Sequence, residues 1–338
     1  MQWRWIYTAQ HKDTMDHLIS GFNVKQPDKT LFNWHTEAKT IKKMIFWLVR
    51  ILISLIFEKK EILKGYTGQD HVVLTHGDTI SAWWGALLGK LGGCQVMHVE
   101  SGLRSFNIFE PFPEEINRLI TFYLSDIYAC PGKWAVENLK GFKGVKINTI
   151  HNTQLETLQH GLRQTSQAAD HTIESKYAVI TLHRYENIFK QDRLKKIITL
   201  IEKISHKIPL LFVLHPSTES KLDETGYGKR LFENSNITPV PRMDHFSFIK
   251  LINAAEFVVT DGGGNQEELF HLGKPCLLFR SYTERLEGLS ENTVLSKFNE
   301  SIIKNFINNY EKYRKPPIAL EEKPSDIIVN YLAIKKLG

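Results

Sequence analysis

The stretch Phe257-Val-Val-Thr-Asp-Gly-Gly-Gly-Asn-Gln-Glu-Glu268 decides how the chain folds. An apolar, β-branched run ends at Asp261 and three glycines follow. A helical pattern then runs to Leu272-Gly-Lys-Pro275, where Gly and Pro stop it. Strand, glycine turn and helix N-terminus form an anion site, because unpaired backbone N–H groups and the helix dipole point at the turn. Glycines at 262 to 264 let a diphosphate reach the backbone with no Cβ in the way. Glu267 and Glu268 fall in the first helical turn, where the dipole favours them and where either can accept hydrogen bonds from a ribose. Taken alone, such a triplet is an ordinary tight turn.

The rest of the chain repeats the alternation of short apolar runs with helical stretches, which argues for α/β architecture with parallel sheets. Strands are expected at Trp5–Thr8, Val72–Thr75, Gln95–Val99, Ile127–Cys130 and Val145–Ile150 in the first half. Ala178–Thr181, Leu210–Leu214 and Leu277–Phe279 follow in the second. Helices are expected at Asp13–Phe22, Thr40–Leu63, Arg193–His206 and Phe246–Ala254, and one more begins at Pro113, whose ring suits the first helical position. Two doubly wound, Rossmann-like domains facing across a cleft are the natural outcome, with the boundary near residues 151 to 170.

Polar residues gather just after the strand ends: Asp78, Glu100, Arg104, Glu114, His183 with Arg184, His215, Asp261 and Arg285. In open α/β sheets that edge is where ligands bind. Each has a plainer reading. Asp78 in isolation reads as a cap for the helix beginning at Thr79. Glu114 and Glu115 read as first-turn dipole partners, and His183 as a loop histidine. Their number and shared placement carry the weight.

At 338 residues, 42% hydrophobic and 24% charged, the chain is globular and long enough for two domains. Its formal charge of +6 suits an anionic small molecule, a membrane surface or nucleic acid without choosing among them, and the lack of a basic run interleaved with aromatics makes nucleic acid the weakest of the three. Cys94, Cys130 and Cys276 show no metal-ligand spacing, and their odd number argues against a disulfide framework, so a reducing cytoplasm fits. Met1 to Trp5 leads directly into a strand, with no cleavable signal peptide. The apolar segment Met44–Phe57, flanked by Lys42, Lys43, Lys59 and Lys60, falls short of the roughly 20 residues that span a bilayer and carries Arg50 at its middle. It reads as a buried or dimer-forming helix, with shallow interfacial binding the next reading.

The motifs together resemble one family. His76-Gly-Asp-Thr79, His98-Val-Glu-Ser-Gly-Leu-Arg104 and Pro111-Phe-Pro-Glu-Glu-Ile-Asn-Arg118 are similar, in order and spacing, to those of the bacterial UDP-N-acetylglucosamine 2-epimerases. His183-Arg-Tyr-Glu-Asn187, Thr260-Asp-Gly-Gly-Gly-Asn-Gln-Glu-Glu268, Leu272-Gly-Lys-Pro275 and Thr283-Glu-Arg285 continue the match over nearly the whole chain. The resemblance implies a glycosyltransferase-B-like fold. Residues 1–152 would be the N-terminal domain, 153–323 the UDP-binding domain, and 324–338 a helix packing back on the first. It implies interconversion of UDP-GlcNAc and UDP-ManNAc for cell-envelope or capsule polysaccharide, commonly by a homodimer, with no nicotinamide and no metal.

By the same resemblance, Asp78, Glu100 and Glu114 are the carboxylates near the sugar. His183 and Arg285 bind the diphosphate with the backbone N–H groups of Gly263 and Gly264. Glu268 takes the ribose, and Phe248 lies near the uracil. Inverting C2 needs carboxylates as base and acid, and cations or dipoles to hold the departed UDP. The sequence departs from the family twice. Gly262 stands where the family has serine, and the family's opening strand with its Gly-Thr-Arg-Pro-Glu loop has no counterpart, so the apolar helix at 44 to 57 is expected to cover part of the gap. A hydrolysing epimerase releasing UDP and free sugar uses the same carboxylates. An inactive UDP-sugar-binding protein is favoured only by the missing loop, and a true glycosyltransferase is disfavoured by the epimerase motifs.

Overall fold

The computed structural model describes residues 2–9, 24–32, 41–108, 112–165 and 176–337, together with Met15, Ile19, Gly21 and Phe22. Most of the helix expected at Asp13–Phe22, and Pro111 of the proline motif, lie outside the described residues. The chain divides into two compact units, Met1–Thr153 with Glu322–Gly338, and Gln154–Glu321.

In the first unit, β1 (Ile6–Tyr7) pairs in parallel with β2 (Lys29–Thr30) as a small separate sheet. Helices α1 (Ile41–Phe57) and α2 (Lys59–Leu63) follow. The single helix expected over Thr40–Leu63 is therefore broken: Glu58 leaves helical geometry at φ −112°, ψ 0°, and its carboxylate pairs with Arg50 at 2.5 Å. Next come β3 (Val72–His76), α3 (Ile80–Leu91), β4 (Gln95–Val99), α4 (Glu114–Leu124), β5 (Ile127–Cys130), α5 (Lys133–Asn138) and β6 (Val145–Asn148). Strands β3 to β6 pair in parallel, in sequence order. Pro113 is the cap of α4 rather than its first residue, the helix starting at Glu114.

Among the described residues no strand pairs with the outer edge of β3, and Leu74 on it is 51% exposed. Helix α1 ties the two sheets of this unit together. Its inner face buries Trp47, Ile51 and Leu55 among Leu31, Ile62, Trp84 and Leu88, with Ile6 packed against them. The Trp47 indole donates to the Thr8 carbonyl at 2.8 Å, and the Trp84 indole donates to the Ile51 carbonyl at 2.7 Å. No helix among the described residues is long and apolar enough to cross a membrane.

The second unit opens with α6 (Gln154–Thr165), then β7 (Ala178–Leu182), α7 (Tyr185–Ile188), α8 (Gln191–Ser205) and β8 (Leu210–Leu214). It continues through α9 (Pro216–Thr225), α10 (Tyr227–Phe232), β9 (Ile237–Pro241), α11 (His245–Ala254), β10 (Val258–Thr260), α12 (Gly263–His271), β11 (Cys276–Leu278), β12 (Thr293–Leu295) and α13 (Glu300–Asn309). The closing helix α14 (Pro324–Leu337) belongs to the first unit, where Ile328 packs with Met97, Val99 and Ile127.

Six parallel strands of the second unit lie in the order β12-β11-β10-β7-β8-β9, so the direction of winding reverses between β7 and β10. Val258 and Val259 point to opposite faces and both are fully buried, as both faces are covered. One face packs on α8 and α13 through Ile197, Ile201 and Phe306, the other on α11 and α12 through Ile249, Ile252 and Leu269. Strand β9 was not expected, because Pro239 and Pro241 interrupt its pattern. It is an edge strand, where prolines are tolerated because one side of the strand has no ladder partner.

The Trp47 contact is testable. Trp47→Ala is expected to lower unfolding free energy by about 3–5 kcal/mol through lost packing. Trp47→Phe keeps most of the volume and is expected to cost about 1–3 kcal/mol by leaving the Thr8 carbonyl unpaired. Urea titration with an unchanged m-value would check both; a Trp47→Phe cost near zero would reject the hydrogen-bond contribution, and equal costs for the two would reject the packing one.

Candidate active site

In the first unit the carboxylates gather where β3, β4 and α4 end or begin. Asp78 follows β3, but it does not cap α3: Thr79 occupies the cap position and makes no side-chain cap bond. The Asp78 carboxylate instead meets the Arg118 guanidinium at 2.6 Å, and its carbonyl accepts from the Asn117 amide at 2.9 Å. Glu115, fully buried, takes Arg104 Nε at 2.5 Å, the Ser105 N–H at 3.0 Å and Arg118 at 3.5 Å. Its role is therefore to fix two guanidiniums, more than the dipole contribution its position implied. Arg104 is turned toward Glu115, and Arg118 joins Glu115 to Asp78. Glu114 stands one residue before, partly exposed at the start of α4.

Glu100 is held differently. Its backbone lies at φ +63°, in the left-handed region that a non-glycine residue enters at a cost of about 1–3 kcal/mol. Asn152 donates to its carboxylate at 2.7 Å. Two residues on, a Cβ at Gly102 would stand 2.2 Å from the Ala135 carbonyl, so the turn that aims Glu100 admits only glycine there. Beneath it, the buried His98 ring contacts the Gly77 carbonyl at 2.8 Å and the Ser101 hydroxyl at 2.9 Å. A carbonyl only accepts, so His98 Nε2 carries the proton and Nδ1 accepts from Ser101. Burial pushes this imidazole down to about 4, keeping it neutral.

In the second unit the site forms where the winding reverses. Asp261, fully buried after β10, accepts from the backbone N–H groups of His183 and Arg184 at 3.0 and 3.1 Å and from the Asn187 amide at 3.0 Å. It thereby pins the His183 loop after β7. The His183 ring lies 3.4 Å from Asp261 and 5.8 Å, centre to centre, from the His215 ring. His215 caps α9, its Nδ1 accepting from the Ser217 N–H at 3.3 Å. Burial and the neighbouring His183 and Arg242 depress its pKa.

The glycine turn is built for space. Gly262 caps α12 at φ −83°, ψ 127°, backbone open to any residue. A Cβ there would come within 2.6 Å of Asn265 Oδ1 and 2.8 Å of His183 Cε1, and one at Gly263 within 3.0 Å of Arg285 Nε. Gly264 meets only ordinary contact, 3.5 Å from Gln154. Helix α12 begins at Gly263, so Glu267 and Glu268 fall in its second turn and are not N-terminal dipole partners. Glu267 is buried against the Arg285 guanidinium. Glu268 accepts from the side-chain amides of Gln154 and Asn265, each at 3.2 Å, with His245 Nδ1 3.8 Å away. Burial, opposed by those two amides, raises its pKa to about 7. Phe248 packs partly buried on α11. Arg184 faces Glu284 at 3.6 Å, and Arg280 meets the same carboxylate at 2.8 Å.

The partners that sequence reading passed over, Arg118, Asn152, Asn187, Gln154 and Asn265, are polar residues whose contacts are with other side chains of the site. Arg118, Asn187 and Asn265 stand inside the quoted motifs, which was the available signal. Gln154 and Asn152 stand in none. Among the described residues no group of three or more His, Cys, Asp or Glu is arranged to hold a metal ion.

Parallel α/β units with acidic residues at the strand ends of one, and a glycine turn flanked by His183 and Arg285 at the reversal point of the other, define a two-domain α/β protein of the glycosyltransferase-B-like kind. Residues 1–321 match the UDP-N-acetylglucosamine 2-epimerase family, and the chain belongs to that family of isomerases. The UDP-N-acetylglucosamine 2-epimerase of Methanococcus maripaludis is 31% identical, over 92% of this chain and 84% of that one. A Pseudomonas aeruginosa UDP-2,3-diacetamido-2,3-dideoxy-D-glucuronate 2-epimerase is 35% identical over 83% of this chain and 76% of that one. The crystal structure of Methanocaldococcus jannaschii UDP-GlcNAc 2-epimerase in complex with UDP-GlcNAc and UDP matches with a TM-score of 0.83 at 28% identity, covering 99% of this chain and 92% of that one.

Two pH effects of opposite sign follow. His98 is depressed from 6.5 to about 4, so its stabilising contribution is full above 6.5 and lost as pH falls through 4. Glu268 is raised from 4.5 to about 7, so its contribution is full below 4.5 and lost as pH rises through 7. Urea midpoints are therefore expected to show Glu268→Gln gaining on the native protein between pH 5 and 8. A gap that stays constant over that range would contradict the buried carboxyl.

Proposed function

We propose that the chain inverts C2 of a UDP-N-acetylhexosamine, interconverting UDP-GlcNAc and UDP-ManNAc, with Asp78, Glu100 and Glu114 at the sugar. His183, Arg285 and the Gly263 and Gly264 N–H groups bind the diphosphate, with Arg184 and His215 beside them, and Glu268 takes the ribose with Phe248 near the base. Beyond family membership, the observation that carries this reading is Glu100. A carboxylate held at positive φ, anchored by Asn152 and backed by a turn that requires glycine at 102, is strained backbone of the sort kept at reacting centres.

The chemistry runs by elimination and re-addition. A carboxylate takes the proton from C2, the C1–O bond breaks, and its electron pair leaves on UDP, giving a 2-acetamidoglycal. UDP then re-adds at C1 while a second carboxyl returns a proton to C2 from the opposite face. The cations and the α12 N-terminus stabilise the separated UDP, whose charge is greatest between the two steps. Arg118 and Arg104, fixed by Glu115, bring two guanidiniums among the carboxylates of the first unit.

A second reading keeps the reaction and changes the sugar. The 35% identity to an enzyme named for a diacetamido-glucuronate favours a substrate carrying further groups at C3 or C6. A hydrolytic outcome, in which water replaces UDP at C1, uses the same groups. Proton NMR in deuterated water with UDP-GlcNAc separates all three. Deuterium at C2 with UDP-ManNAc appearing is expected, free sugar with UDP would select hydrolysis, and no exchange by a UDP-binding protein would reject UDP-GlcNAc as substrate, leaving the other sugar or a purely binding role. Glu100→Gln, Asp78→Asn and Glu114→Gln are each expected to slow exchange by roughly 10²- to 10⁴-fold.

We also infer a homodimer through the outer face of α1. Ile45, Val49, Ile53 and Ile56 recur at helical spacing and are 57%, 47%, 41% and 74% exposed, opposite the buried Trp47 and Ile51. Arg50, the one charged residue in the middle of α1, is paired with Glu58, so an identical face meets no unbalanced charge. Light scattering is expected to give a dimer that Val49→Asp converts to a folded monomer. A native monomer at tens of micromolar would sink the idea.

A further inference from the structure

Gly262 and Asn265 behave as one unit. The Asn265 Oδ1 atom sits 2.6 Å from where a Cβ at Gly262 would stand, inside the closest approach of real atoms. That oxygen accepts from the Thr260 hydroxyl at 3.2 Å, and the Thr260 hydroxyl in turn accepts from the Gly262 N–H at 3.0 Å. The other end of the Asn265 amide donates to Glu268 Oε2 at 3.2 Å. One side chain thus joins the glycine turn to a buried carboxylate one helical turn further on. It can do so only because position 262 has no side chain.

We propose that Asn265 is a positioning residue for the nucleotide site, its amide filling the volume left open at Gly262 and holding the Glu268 carboxylate in the orientation that accepts the ribose hydroxyls. The assignment of the ribose to Glu268 rests on the function proposed above; the coupling of Gly262, Asn265 and Glu268 does not. Oε1 of Glu268 is already held by Gln154 at 3.2 Å, so two neutral amides are its direct donors. The charged and titratable groups around it are Glu267 and Arg285, which act through space, and His245 at 3.8 Å. His245 is itself held toward its neutral form by burial. Removing the Asn265 amide takes away a hydrogen bond to the ionised form and leaves these others in place, so the carboxyl must titrate higher. A Cβ at 262 displaces the same amide and has the same consequence.

Two measurements on the ligand-free full chain test the coupling, and one on the complex tests its use. Carbon-13 NMR of the Glu268 carboxyl, assigned by its loss in Glu268→Gln, is expected to show Asn265→Ala and Gly262→Ala each moving the midpoint above the value of about 7. In thermal unfolding, Gly262→Ala is expected to cost less in an Asn265→Ala background than in the native protein. An unmoved midpoint, or strictly additive unfolding effects, would overturn the coupling. UDP titrated calorimetrically from pH 6 to 9 is then expected to bind roughly tenfold more weakly to Asn265→Ala at pH 7, the scale of one hydrogen bond to a charged group. The pH at which affinity rises should move upward with the carboxyl. If the carboxyl shifts but UDP affinity does not follow it, the ribose assignment is wrong while the coupling stands. Failure of native protein to bind UDP would overturn the assignment of Glu268 to a nucleotide.

Discussion

Asp261 is the constraint on which the second unit depends. A carboxylate with no solvent exposure is costly unless donors surround it, and here it receives two backbone N–H groups and a side-chain amide from the segment after β7. Those donors follow directly on β7, the strand next to β10 in the sheet, at the place where winding reverses. The bond network therefore fixes the separation of the two strand ends, and with it the distance between His183 and the glycine turn. A shortened side chain at 261 would leave two backbone donors without their acceptor, which is why one residue can hold an entire loop. His183 itself is left partly exposed, its ring resting 3.4 Å from the Asp261 carboxylate.

The first unit solves a different problem. Its described strands form two separate sheets, and β3 presents an edge with an exposed Leu74. What joins the pieces is the strongly apolar helix α1, whose tryptophan reaches the backbone after β1 while Trp84 of α3 reaches back to α1. Indole N–H groups are well suited to this because each brings a large apolar area and a single donor. Sheet continuity is replaced by side-chain packing, which is directional only where those two hydrogen bonds occur. The charged part of the unit is rigid by other means. Arg104, Arg118, Glu115 and Asp78 form an alternating chain of opposite charges, and a buried ion in such a chain is stabilised only while both its neighbours remain.

Strand ends were legible in the sequence because an apolar run followed by a polar residue and a glycine has few other readings. That is why Asp78, Glu100, His183, His215, Asp261 and Arg285 were all placed at or near the correct edges. Side-chain direction was not legible. Asp78 reads as a cap from its neighbours, yet Arg118, forty residues on, outcompetes a backbone N–H for its carboxylate. The positions of Glu267 and Glu268 hinged on whether the helix starts at Gly263 or a few residues later. Because glycine is the poorest marker of a helical start, they were set one turn too early. Strand β9 was hidden by its prolines, and the break at Glu58 by the lack of any glycine or proline between the apolar run and Leu63.

The glycine triplet illustrates what a pattern conveys and what it withholds. Three successive glycines suggest a backbone that must take a left-handed turn, and here none of the three does so. Each is required, or tolerated, for its own reason: 262 by Asn265 and His183, 263 by Arg285, and 264 by nothing closer than ordinary contact. The consequence for phosphate recognition is physical. Where a serine at 262 would supply one neutral hydroxyl worth about 1 kcal/mol, glycine instead lets an amide enter from position 265 and act on Glu268. The turn has exchanged a contact at its own backbone for control over a carboxylate a helical turn away. Because burial raises the pKa of that carboxylate to about 7, a single neutral donor acts there on a group whose charge is in the balance.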